Sequence, residues 1–66
     1  MKMNRQKNNV EIIKQLLQII KNHPELRFGQ ILAGFGILVE NHDIFFEESE
    51  ATLKRLVKSV EIINDL

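Results

Sequence analysis

Apolar side chains recur along this chain with the spacing of helices. Val10, Ile12, Ile13, Leu16, Leu17, Ile19 and Ile20 fall on one half of a wheel drawn at about 100° per residue, and Glu11, Lys14, Gln15, Gln18, Lys21 and Asn22 on the other. That separation is too clean for a strand, and an apolar face this wide points to two neighbours. Asn8 followed three residues later by Glu11 has the form of a capping box. A first helix is therefore predicted over about 9–22, with residues 1–7 a flexible polar arm. The step Asn22-His23-Pro24 stops it, because the residue before proline avoids the helical region.

Pro24 suits the first position of a second helix, with Glu25 complementing its positive end. Phe28, Ile31, Leu32 and Phe35 then form one stripe at three- and four-residue spacing. Gly34 and Gly36 end it, Gly36 serving as a left-handed cap, which predicts a helix over about 24–35. Gly29 within it costs up to about 1 kcal/mol relative to alanine. A third helix over about 49–64 starts at Ser49 as N-cap and carries Leu53, Leu56, Val57, Val60 and Ile63 on one face, with Glu50 to Lys54 as a favourable pair.

Residues 37–47 are ambiguous, since two apolar triplets flank the turn-prone Glu40-Asn41-His42-Asp43. A short hairpin, a continuation of the second helix and a loop folded over the core are all compatible with that pattern. The covering loop is favoured, because an isolated hairpin is marginal in water and Phe45 and Phe46 are too apolar to leave exposed. The expected fold is all-α: three short amphipathic helices with an irregular loop between the second and third, in one domain.

Sixty-six residues leave room for one domain only, and 44% of them are apolar, enough for a core but a thin one. A core of this size supplies about 3–5 kcal/mol, and small natural domains usually add disulfides, a metal or a partner. The absence of cysteine rules out disulfides and Cys-type zinc sites and points to the reducing cytosol. The N-terminal stretch is polar, unlike a signal peptide, and no run nears the roughly 18 apolar residues of a membrane span. A soluble cytoplasmic protein with no membrane role is expected.

The formal charge is zero, which argues against a general nucleic-acid binder. The charges are unevenly placed. Lys2, Arg5, Lys7, Lys14 and Lys21 face only Glu11 in residues 1–21, whereas Glu40, Asp43, Glu47, Glu48 and Glu50 have no cation among them in residues 40–50. Two such surfaces can meet within a protein or between subunits.

The one cluster with chemical potential is Glu40, His42, Asp43, Glu47 and Glu48, imidazole and carboxylates of the kind that bind a divalent metal or exchange protons. His42-Asp43 is a dipeptide also used by metal phosphohydrolases. Those enzymes need further His and Asp residues on separate helices, and His23 is the other histidine here. A solvated acidic loop is the expected reading, with no metal and no cofactor. Ser49 and Ser59 are explained as a cap and a surface residue, and Gly34-Phe35-Gly36 lacks the later glycine of a dinucleotide motif. The chain is therefore not expected to be an enzyme. Arg27, beside the Phe28 stripe, is expected to reach Asp43 or Glu47 and hold the acidic loop on the second helix.

The string Pro24-Glu25-Leu26-Arg27-Phe28-Gly29-Gln30-Ile31-Leu32, followed by Asp43-Ile44-Phe45-Phe46-Glu47-Glu48-Ser49 and Thr52-Leu53-Lys54-Arg55-Leu56, resembles a segment of short proteins from bacteriophages and bacterial mobile elements. The likeness covers residues 24–56 and leaves out the first helix. In that pattern the position of Ile44 is often proline, which would favour an extended loop over a helix, and this chain departs from it there. No activity or ligand comes with the resemblance. It implies a phage or prophage setting in a bacterial cytoplasm, where small non-enzymatic proteins often bind a host protein.

Two functions are expected from these features. The first is a protein-interaction module that associates with itself through the wide apolar face of the first helix, with Arg27, Phe28, Gln30, Asp43, Phe45, Phe46 and Glu47 as a further contact surface, open to a host protein. The alternative is a small nucleic-acid-associated regulator using the basic arm and Lys54, Arg55 and Lys58. Against it, about a dozen residues separate the second and third helices, too many for a helix-turn-helix.

Overall fold

Helix α1 runs over Lys2–Asn22, α2 over Phe28–Gly34 and α3 over Ser49–Asn64, with a 3₁₀ turn at Ile44–Phe46 in the loop before α3. The computed structural model describes the backbone of residues 2–64 and the side chains of residues 4–63. The fold is all-α, and no strand occurs among the described residues.

α1 begins seven residues before the expected start, so residues 2–8 continue the helix and the Asn8–Glu11 capping box does not form. Glu11 instead accepts a hydrogen bond from Gln15 Nε2 at 3.1 Å, one helical turn on. The early start is held from outside the helix. Arg5 donates from Nε and Nη2 to the two carboxylate oxygens of Glu48 at 3.0 and 2.8 Å, and the Ser49 hydroxyl donates to Asn9 Oδ1. Ser49 is thus a tether to α1 in place of the expected N-cap.

α2 is shorter than its sequence pattern. Pro24 does not open it; Leu26 N–H donates to the His23 carbonyl at 3.1 Å and closes a turn. A helix started at Pro24 would place Leu26 about 140° around from Ile31, off the buried face. The turn instead packs Leu26 against the core. Arg27 is extended at φ −75° and ψ 154°, and Gln30 Oε1 accepts its N–H at 2.8 Å, so α2 starts at Phe28. Gly36 ends it as expected, at φ +81°, and Ile37 N–H donates back to the Leu32 carbonyl at 2.9 Å, the six-to-one bond of a Schellman cap.

The buried core is Leu16 and Ile19 of α1, Ile31 and Phe35 around α2, Ile37 after its cap, and Leu56 of α3, which is wholly inaccessible. Ile12, Leu32, Ile44, Val60 and Ile63 pack around it. The His23 ring lies 5.6 Å from that of Phe35, tying the end of α1 to the end of α2. Asn9 meets Ser49 at the start of α3, and Leu16 and Ile19 share one cluster with Leu56 further along, so α1 and α3 run in the same general direction. Residues 37–48 provide the return path.

Candidate functional site

The return loop is fixed by one arginine of α3. Arg55 Nε donates to the Gly36 carbonyl at 2.7 Å, Nη2 donates to the Ile37 carbonyl at 3.3 Å, and Nη1 pairs with Glu47. One planar guanidinium thus joins the cap of α2, the loop and α3. Gly36 is required at this approach, because a Cβ there would stand 2.8 Å from Ser59 Oγ.

The Glu47 carboxylate, 7% exposed, also accepts from Thr52 Oγ1 at 2.5 Å and lies 2.8 Å from His42 Nε2. The Arg55 guanidinium, with help from the Thr52 hydroxyl and His42, holds the Glu47 carboxyl at about 2 against the opposing effect of burial. Glu48 is lowered as well, by the hydrogen bonds and charge of Arg5.

The expected tie from Arg27 to the acidic loop is therefore replaced. Arg27 is exposed at the entry to α2, and Arg55 makes the tie to Glu47. The signal for Arg55 was present in the spacing: Thr52, Arg55 and Ser59 form a polar row at three- and four-residue intervals beside the apolar stripe of α3. The same contacts remove Arg55 from the basic patch of α3, and Lys54 lies 3.5 Å from Glu50. Of the acidic cluster, only His42 and Glu47 come together directly, and Glu47 is occupied by Arg55 and Thr52. Among the described residues no three His, Asp or Glu side chains converge as a metal site, and no helix is long and apolar enough to cross a membrane.

Phe45 and Phe46 are not covered. They are 81% and 80% exposed and pack on each other edge to face, with ring centroids 4.8 Å apart. The 3₁₀ turn has one inward position, and Ile44 takes it against the core. Asp43 Oδ1 accepts from Phe45 N–H at 2.9 Å and caps the turn, while Asn41, at φ +63°, and the His42 N–H to Val39 carbonyl bond at 3.1 Å shape its approach. The aromatic pair is a protruding feature on a braced backbone. Phe28 and Gln30 are exposed on α2 and take no part in the Arg55 contacts.

A second apolar surface lies on α1. Val10, Ile13, Leu17 and Ile20 are 49%, 64%, 51% and 40% exposed. Their spacing of three, four and three residues makes one stripe, next to the core-facing row of Ile12, Leu16 and Ile19. Lys7, Lys14 and Lys21, spaced by seven, border it as an exposed row and form no ion pair among the described residues. The wide apolar face of α1 is thus half used by its own core.

The chain matches no known family model, no curated protein and no solved structure.

Proposed function

We propose that this chain is a non-enzymatic protein-interaction module that associates with a second copy of itself through the outer stripe of α1. The observation that supports this reading is the exposure of Val10, Ile13, Leu17 and Ile20 at regular helical spacing on a 66-residue domain. Side chains that leave water stabilise by about 25 cal/mol per Å² of apolar area, and a small core has little stability to spare. Burying the stripe between copies supplies that missing apolar burial.

Association linked to folding makes stability depend on concentration. Thermal melts followed by circular dichroism over about a hundredfold range of chain concentration are expected to show a melting temperature that rises by several degrees, since such a range is worth up to about 2.7 kcal/mol. A melting temperature that does not move with concentration counts against self-association.

The phage or mobile-element setting in a bacterial cytoplasm belongs to the same proposal and rests on the resemblance of residues 24–56. Its check is genomic: the coding sequence should lie within an integrated element, and a location among unrelated housekeeping genes would contradict it.

A further inference from the structure

We propose that the α1 stripe of one copy receives the Phe45–Phe46 turn of a second copy, and that the two copies exchange this contact reciprocally in a two-fold dimer. The inference rests on the self-association reading and names the surface that meets the stripe.

Charge is the first argument. Pairing stripe against stripe in antiparallel fashion sets one lysine row against the other, Lys14 facing its own counterpart and Lys7 facing Lys21. The aromatic turn offers the opposite sign. Glu47, Glu48 and Glu50 each face a cation of their own chain, whereas Glu40 and Asp43 are exposed on the approach to the phenylalanines and form no ion pair among the described residues. An apolar stripe edged with lysine and an aromatic pair edged with carboxylate are complementary.

Rigidity is the second argument. Two large rings on a turn capped by Asp43 and anchored through Glu47 to Arg55 lose little freedom when they dock, which is the property of an anchor residue at an interface. Arg5 at the start of α1 lines the same surface hollow as Ile44, Phe45 and Phe46, so the turn sits beside the N-terminal half of the helix that carries the stripe.

Area is the third. Each surface presents on the order of 300 Å² of apolar area, so one contact falls short of a specific interface, and two reciprocal contacts reach about 1,200 Å², the lower end of the specific range. That favours a closed dimer over an open chain, since closure by a two-fold axis uses both contacts at once.

The test uses the full chain with Phe46 replaced by p-benzoylphenylalanine, irradiated at a concentration where sedimentation shows association, followed by mapping of the inter-copy cross-link. Attachment to Val10, Ile13, Leu17 or Ile20 of the other copy is expected. Attachment only to residues 37–48 of the other copy, or no inter-copy cross-link in a sample that sediments as a dimer, overturns the inference while leaving self-association standing. A chain that is monomeric under all conditions overturns the self-association reading itself. A second measurement separates the two pairings by sign. Lys14→Gln with Lys21→Gln removes attraction to the acidic turn and is expected to raise the dimer Kd about tenfold. A Kd unchanged or lowered, as relief of lysine repulsion across paired stripes would give, overturns the inference.

Discussion

Replacing Arg55 by alanine removes three attachments at once: the bonds to the Gly36 carbonyl at 2.7 Å and the Ile37 carbonyl at 3.3 Å, and the pair with Glu47. A hydrogen bond involving a charged group contributes about 1.5–3 kcal/mol, and the longer bond to Ile37 belongs at the low end. The Arg55 side chain is itself 30% exposed, so water screens part of the loss. A net cost of about 2–4 kcal/mol follows for Arg55→Ala. For a domain of this size each kcal/mol moves the melting temperature by about 4–8 °C, so a fall of at least about 8 °C is expected in a circular-dichroism melt. Arg55→Lys keeps the charge but loses the planar fork, and it should fall between the two. Arg27→Ala, the substitution that the sequence pattern alone singles out, should melt within about 4 °C of the parent, because an exposed side chain away from such contacts changes stability by no more than about 0.5 kcal/mol. A melting temperature for Arg55→Ala as close to the parent as that of Arg27→Ala would refute the assignment of Arg55 as the residue that holds the loop.

The pH dependence follows from Glu47, whose folded carboxyl is lowered from 4.5 to about 2 by Arg55 first and Thr52 second. Its unfolded form takes up a proton first, so its contribution is complete above about 4.5 and is lost as the pH falls towards about 2. Urea midpoints measured across that interval should decline, and Arg55→Ala should flatten the decline; equal slopes would contradict this. Gly36→Ala places a methyl group at φ +81° and 2.8 Å from Ser59 Oγ. It should cost more than about 1 kcal/mol by urea denaturation, with Ser59→Ala in the same chain recovering the steric part only. Phe45→Ser with Phe46→Ser should leave the stability of the dilute monomer within about 0.5 kcal/mol, since both rings are exposed; a larger loss would mean that the pair packs on its own core.

Helical spacing was sufficient for α3, whose span Ser49–Asn64 coincides with the apolar repeat, and glycine chemistry was sufficient for the cap at Gly36. The start of α1 was not legible in the same way. Residues 2–8 carry no apolar period, and what binds this end of α1 to the fold are the pairs of Arg5 with Glu48 and Asn9 with Ser49, each at least 40 residues apart in sequence. Pro24 misled for a related reason: its local preference for a first helical position yields to the packing of Leu26, which only a turn satisfies. At the site, residue types alone point to Arg27 as the anchor of the acidic aromatic loop, and the structure gives that contact to Arg55. The polar row of Thr52, Arg55 and Ser59 marks Arg55 in the sequence, but its partners are set only when the return loop brings Gly36, Ile37 and Glu47 around it. Apolarity alone predicts that Phe45 and Phe46 are covered by the folded loop, whereas six other side chains already fill the core and both rings stay exposed.

Sedimentation equilibrium of the full chain, beside Ile13→Asp with Leu17→Asp, bears most directly on the proposed association. Those two positions face water in the isolated chain, so the variant should keep its helical circular-dichroism spectrum. The parent is expected to sediment with the mass of a dimer at micromolar concentration and the variant with that of a monomer. A parent that sediments as a folded monomer there, or a variant that associates as strongly as the parent, would contradict it.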